Sequence, residues 1–227
     1  MNKKIQFLIA QYKTILKLDE DNEVWYSSSQ NLENNLKQRG IVLQKPLFYE
    51  YKLPNGISAP DYLQIKNPLE KFSRYKPGDA ENLAKCLANS EKYKQDFMKL
   101  SAEEKAELDK YFVDLATDSN RKIDLECKKI RELNPELRNL DVPNNIEFLS
   151  GVIYGFAPED IKYFCDLQKK NLDYQQNKEE AKKQDLLAQD LGLNINWRIS
   201  PETIQNIRTS FQQSQQTQII HQHNGHE

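Results

Sequence analysis

The chain has 227 residues, of which 38% are hydrophobic and 29% are charged, and it contains only 7 glycines. This hydrophobic content is enough for a core, which argues against disorder throughout, and the composition favours helices over sandwiches, barrels and glycine-looped nucleotide folds. The 32 basic and 34 acidic residues leave a net charge of −2, so no global positive field attracts nucleic acid or an anionic membrane.

The cysteines and the start of the chain bear on the cellular compartment. Cys86, Cys127 and Cys165 are odd in number and far apart, which indicates reduced, buried thiols rather than a disulfide framework. The apolar run Ile5–Ala10 is interrupted by Gln6 and is too short for a secretory signal or a membrane span. We therefore expect no membrane span and a cytoplasmic protein, or one translocated without a cleaved signal peptide.

Hydrophobic spacing predicts two helices at the start of the chain. Residues 3–18 carry apolar side chains at helical intervals, and the stretch SSSQNLENNLKQRG reads as a serine-capped helix that ends at Gly40. Residues 41–78 differ, because they hold five of the nine prolines and an alternating aromatic run with a Pro-Asn-Gly turn. We predict a small β-hairpin or an extended arm near residues 44–66, within an inserted segment 41–78.

After this segment the helical pattern returns. We predict one helix after Asp79 and a second from the capping box SAEE at 101–104 to Leu133, which can split at residues 116–120. Three more are predicted over residues 145–154, from Pro158 to Leu191 and from Ser200 to Phe211. Residues 212–227 form a polar low-complexity tail, which we expect to be flexible. The predicted fold is mainly α, an irregular multi-helix bundle in a single domain over residues 1–211.

The stretch GVIYGFAPEDIKYF, residues 151–164, is predicted to be a corner of the core. Gly155 suits the left-handed C-cap of one helix, and Pro158 suits the first turn of the next. Phe156 would fill the bend between them. Gly151 would let a neighbouring helix approach closely.

The histidines exclude several kinds of catalysis. His221, His223 and His226 all lie in the final seven residues, so the predicted folded body has no Ser-His-Asp, Cys-His or histidine-based zinc site. The same three side chains are candidates for a metal chelate in the tail, although a flexible tail enforces no geometry. No phosphate-loop, dinucleotide or zinc motif occurs, and we predict no cofactor.

The candidate catalytic residues are carboxylates, a tyrosine, an arginine and a cysteine. Glu50, Asp61, Arg74 and Tyr75 would line a groove beside the inserted segment. Cys165 is the candidate nucleophile, but without a histidine it needs another base, and a buried structural thiol is the simpler interpretation.

The absence of a diagnostic catalytic constellation favours a protein–protein interaction module without intrinsic catalysis. Two alternatives stay open: an enzyme whose groove adjoins residues 44–75, and a structural homo-oligomer that swaps the arm or pairs the long helix. In its Lys, Asn, Gln and Ile richness, its size and its polar tail, the chain resembles the helical type IV secretion effectors of intracellular bacteria. This resemblance implies a host protein as partner and assigns no site residue.

Overall fold

The computed structural model describes residues 2–18, 26–86, 91–169, 188–193 and 197–224, with the single residues 179, 182, 186 and 195. Its helices are α1 Lys3–Leu18, α2 Ser28–Gln38, α3 Ala59–Ser73, α4 Asp79–Cys86, α5 Glu91–Met98, α6 Ala102–Leu133, α7 Pro135–Arg138, α8 Ile146–Ile153, α9 Pro158–Lys169 and α10 Pro201–Asn224. The described residues contain no strand, so the predicted mainly α fold is confirmed. None of these helices combines the length and apolar character needed to cross a membrane.

The chain contains two compact units. Unit 1 comprises Met1–Val24 and Pro60–Glu126, and unit 2 comprises Trp25–Ala59 and Cys127–Glu227. The predicted single domain over residues 1–211 therefore stays a prediction.

Unit 1 is built around an aromatic cluster. The ring of Tyr12 in α1 lies 4.3 Å from that of Phe112 in α6 and 6.1 Å from that of Tyr93 in α5, measured between centroids. Tyr75 stacks on Phe112 at 5.1 Å. Because α1 and α6 carry these rings on the same stripe as their buried aliphatic residues, burying that stripe brings the helices together.

The predicted β-hairpin near residues 44–66 is wrong. Residues 41–53 form no helix or strand; they bend at residues 44, 45 and 47 and make one isolated antiparallel bridge, between Phe48 and Phe156. The Pro-Asn-Gly sequence forms a 3₁₀ turn at Pro54–Gly56, and α3 follows. The buried residues of α3 recur at helical rather than alternating spacing, and they are Tyr62, Leu63, Lys66 and Asn67. Pro60 fits this helix because a proline in the first turn removes no intrahelical hydrogen bond.

The predicted core corner at residues 151–164 is confirmed. α8 ends just before Gly155, whose φ is +71°, and α9 begins at Pro158. A Cβ atom on Gly151 would lie 2.8 Å from Cγ1 of Ile161, so α8 and α9 approach each other more closely than a side chain at this position allows.

The structure also bears on the predictions for α6, α10 and α9. The capping box of α6 is confirmed, since the Ser101 hydroxyl accepts from the Glu104 amide at 3.2 Å and the Glu104 carboxylate accepts from the Ser101 amide at 2.9 Å. α6 runs without a break through residues 116–120. α10 continues to Asn224, so residues 212–224 of the predicted tail are helical. Most of residues 170–191, into which α9 was predicted to continue, lie outside the described residues.

We expect Gly155→Ala to destabilise unit 2 strongly. A left-handed conformation alone costs a residue with a Cβ roughly 1–2 kcal/mol, and here that Cβ would also lie 2.3 Å from Cε2 of Phe48 and 2.7 Å from the carbonyl oxygen of Tyr49. Gly192→Ala is the matched control, because Gly192 has a φ of +62° and nothing within 4 Å of its added Cβ. Urea denaturation should show a clearly larger loss for Gly155→Ala, and equal losses would contradict the close packing.

Candidate functional site

The two units divide the residues predicted for an active site. Glu50 is exposed in unit 2, whereas Asp61, Arg74 and Tyr75 belong to unit 1. Asp61 and Arg74 are exposed, and Tyr75 is buried. Neither unit by itself holds the four residues, so the groove that would combine them stays a prediction.

Tyr75 is engaged in a hydrogen-bond network within unit 1. Its hydroxyl donates to Asp109 at 2.6 Å and accepts from the Ala80 amide at 3.0 Å, and Asp109 also accepts from the Gly78 amide at 2.8 Å. Burial, and next the hydrogen bond to Asp109, raise the pKa of Tyr75 well above its usual range. The phenol stays protonated and joins the start of α4 to α6.

Cys165 has the properties of a structural thiol. It is buried in α9, and burial raises its pKa to about 12, so the thiolate needed for nucleophilic attack is not populated near neutral pH. Cys127 is also buried, and its thiol donates to the Asn145 carbonyl at 3.6 Å. The predicted burial is confirmed for these two cysteines, while the side chain of Cys86 lies outside the described residues.

The predicted metal chelate of the tail also falls outside the described residues. These comprise neither the side chains of His221 and His223 nor any part of His226. Among the described residues, no group of three or more His, Cys, Asp or Glu side chains could hold a metal ion.

A buried polar face on α3 was missed by the sequence analysis. Lys66 is 3% exposed and its ammonium lies 2.6 Å from a Glu70 carboxylate oxygen. One turn earlier, the Tyr62 hydroxyl donates to the carboxylate of Glu126 in α6. The exposed Arg74 pairs with the other Glu70 oxygen at 2.8 Å. Because Lys66 is enclosed, a reactant cannot contact its ammonium in this conformation, and the pair is structural.

Lys66→Ala should lower the free energy of unfolding by about 2 kcal/mol, because the packing of the buried Lys66 side chain is lost and Glu70 keeps only its pairing with the exposed Arg74. Arg74→Ala is the matched control, since Arg74 contacts the same carboxylate from an exposed position, and its loss should stay under about 1 kcal/mol. Urea denaturation of the two variants measures both values. Equal losses would contradict the structural role of the buried pair.

Unit 2 contains an open concavity of about 470 Å³ where α2 meets the segment that follows it, residues 40–46. Its lining is mostly apolar, and the residues are Glu33, Lys37, Gly40, Ile41, Val42, Leu43, Gln44 and Pro46. Val42 is 78% exposed, the highest value among the large hydrophobic side chains that the structure describes. The volume is within the range of about 300–1,000 Å³ that is typical of ligand pockets.

Glu33 fixes one edge of the concavity. One of its carboxylate oxygens accepts from the amides of Leu47 at 2.7 Å and Phe48 at 3.0 Å, and the other lies 2.6 Å from the Lys37 ammonium. Burial alone would raise the pKa of Glu33, but the hydrogen bonds from Lys37, Phe48 and Leu47 outweigh it and hold the pKa below its usual value. The Glu33 charge is therefore engaged inside unit 2.

Helix α10 fixes the other edge. The Ser210 hydroxyl accepts from the Gln44 amide at 3.3 Å, and the Asn206 side chain accepts from the Lys45 amide at 3.2 Å and donates to the Lys45 carbonyl at 2.9 Å. Upstream, the Ile41 amide donates to the Leu36 carbonyl at 3.0 Å. The segment is thus held on both sides of Val42 and Leu43.

The peptide groups of Val42 and Leu43 lie between these fixed points. Neither their N–H nor their carbonyl groups form a hydrogen bond with any residue that the structure describes. Two consecutive residues outside any helix, turn or bend, fixed at both ends, therefore present hydrogen-bonding groups beside the apolar concavity.

A buried carboxylate lies elsewhere in unit 2, where α9 and α10 begin. Asp160 accepts from the Ser200 amide at 2.7 Å, and the Ser200 hydroxyl caps α10 by accepting from the Thr203 amide at 3.1 Å. The second Asp160 oxygen has no hydrogen-bond partner among the described residues. Burial raises the pKa of Asp160 to about 6, although the bond from the Ser200 amide favours the charged form.

Asp160 should make the stability of the protein depend on pH in mildly acidic solution. Because its pKa is higher in the folded chain than in the unfolded chain, its stabilising contribution is present below about pH 4 and is lost as the pH rises through about 6. We expect the free energy of unfolding of the wild type, relative to Asp160→Asn, to fall by about 2 kcal/mol between about pH 4 and pH 7. Denaturation curves across that range measure the difference, and parallel pH profiles would contradict it.

Comparison with known proteins identifies no relative of this chain. No family model matches it, and neither does any curated protein or solved structure. Its function is therefore inferred from the geometry of its two units.

Proposed function

We propose that the protein is an interaction module without catalysis of its own, and that the concavity of unit 2 binds a segment of a partner protein. The observation that carries this proposal is the exposed Val42 side chain on the rim of a mostly apolar concavity. A single exposed apolar residue is ordinary on a protein surface. Here Ile41, Leu43 and Pro46 extend the apolar surface into a concave shape, in which a partner side chain would lose contact with water.

The charged residues of the concavity support binding rather than catalysis. Glu33 and Lys37 are its titratable lining residues, and they are paired with each other at 2.6 Å. A general base needs a lone pair directed at its substrate, whereas the Glu33 oxygens accept from Lys37 and from two backbone amides. The lining therefore offers shape and apolar surface to a ligand, but no free acid–base pair.

Two kinds of partner are possible, depending on whether the chain is an interaction module or a homo-oligomer. The resemblance to secretion effectors implies a host protein, and the homo-oligomer alternative implies a second copy of this chain. An experiment that reports what contacts residue 42 distinguishes a host protein at the concavity from a second copy of the chain.

A photo-crosslinking amino acid at position 42 tests the proposal. We expect it to form adducts with a partner that the same amino acid does not form at position 26, since Tyr26 is exposed in unit 2 but does not line the concavity. A partner identified in such an adduct is then purified, and its affinity is measured by calorimetry. An adduct at about twice the chain mass of 26.7 kDa would instead identify a second copy as the partner.

Val42→Asp should weaken binding of the purified partner at least about tenfold, because a carboxylate placed against an apolar contact must lose its hydration. Tyr26→Asp makes the same kind of change outside the concavity and should leave the affinity unchanged. Circular dichroism and thermal unfolding confirm that both variants fold. Equal affinities for the wild type and Val42→Asp would overturn the proposal.

A further inference from the structure

We infer that the segment bound by the concavity is an extended acidic peptide. Its main chain pairs with the peptide groups of Val42 and Leu43, an apolar side chain enters the concavity, and a carboxylate contacts Lys37. This inference rests on the proposed function and adds the conformation and the chemical class of the ligand.

The main-chain pairing follows from the unused peptide groups of Val42 and Leu43. Extended residues with free N–H and carbonyl groups are a template on which another extended chain forms backbone hydrogen bonds. The amides of Ile41 and Gln44 are already bonded to Leu36 and Ser210, so the receiving segment is fixed before the peptide binds. The protein itself therefore loses little conformational entropy when the peptide binds.

The apolar anchor follows from the position of the concavity beside these peptide groups. Side chains of an extended peptide alternate between its two faces. A peptide paired with Val42 and Leu43 therefore directs every second side chain to the same side. Because Ile41, Leu43 and Pro46 line the concavity, an apolar side chain directed to that side is removed from water on binding.

The preference for an acidic ligand begins with Lys37. Its side chain is 64% exposed, whereas that of its counter-ion Glu33 is 12% exposed. The Glu33 oxygens are occupied by Lys37 and by two backbone amides, and the Lys37 ammonium has three N–H donors. An incoming carboxylate can therefore bind the ammonium from the solvent side while Glu33 stays in place.

Two further cations flank the lining residues. Arg39 donates to the carbonyl groups of Leu191 and Gly192, which are neutral, so these bonds leave its positive charge in place. The exposed Lys45 ammonium lies 3.7 Å from a Glu159 oxygen, at the outer limit for an ion pair. The exposed charges next to the concavity are therefore mainly positive, which attracts an acidic segment and disfavours a basic one.

A random library of twelve-residue peptides displayed on phage, selected against the full-length protein, tests the chemical class. We expect enriched peptides to combine an apolar residue with Asp or Glu, and their synthetic forms to bind more weakly as salt increases. Lys37→Glu should weaken them at least tenfold, and Lys37→Gln, which keeps a donor for Glu33, should weaken them less. Lys52→Glu reverses an exposed charge of unit 2 outside the concavity and should leave the affinity unchanged.

Hydrogen exchange tests the main-chain pairing. Binding of an enriched peptide should slow exchange of the Val42 and Leu43 amides. In addition, N-methylation of alternate peptide residues should abolish binding, while methylation of the residues between them should have little effect. A ligand held only by its side chains would leave the exchange of both amides unchanged and would overturn the inference.

The outcomes separate this inference from the proposed function. Suppose that Val42→Asp no longer binds the enriched peptides. If those peptides are neutral or basic, or if they do not slow exchange of the Val42 and Leu43 amides, the inference is overturned and the concavity remains a binding surface. A library that enriches no peptide, or peptides that Val42→Asp binds as well as the wild type, would overturn both.

Discussion

The backbone of residues 41–53 must find hydrogen-bond partners without a sheet, and unit 2 is organised around this requirement. A buried peptide group left without a partner costs more free energy than a typical hydrogen bond contributes. Side chains and loop carbonyls supply the bonds that a neighbouring strand would supply in a sheet. The partners come from α2, from the start of α7, from the α8–α9 corner and from α10, and they are Glu33, Asn134, Gly155, Asn206 and Ser210.

This arrangement explains why the proposed binding surface lies at Val42 and Leu43. Val42 is exposed and Leu43 is partly buried against the core of unit 2, so water reaches this part of the segment in the free protein. The segment is therefore stable without a ligand and still has main-chain groups to offer one. Glu33 contributes to both properties, because the carboxylate that holds Leu47 and Phe48 also positions Lys37 at the rim.

The parts of the fold that could be predicted from the sequence are those specified by local patterns. The capping box of α6 and the Gly155–Pro158 corner depend on residues within one or two turns of each other, and both occur as predicted. The hairpin failed because the pairing of an alternating segment depends on distant residues: Asn134 is 82 positions from Lys52, which it bonds. Lys66 and Glu70 show the intermediate case, since their spacing of four is visible in the sequence but their burial is not. The concavity could not be predicted, because its shape depends on where α10 meets the segment.

The long separations also have a consequence for synthesis of the chain on the ribosome. Residues 47–53 include Leu47, Tyr49 and Tyr51, yet the groups that bond the segment at Asn134, Gly155 and α10 are translated much later. An aromatic, extended ribbon is thus exposed while most of unit 2 is still being made, and such segments are prone to aggregate or to recruit chaperones. The yield of folded protein in a cell should therefore depend on how quickly the last helix follows, as well as on the stability of the finished molecule.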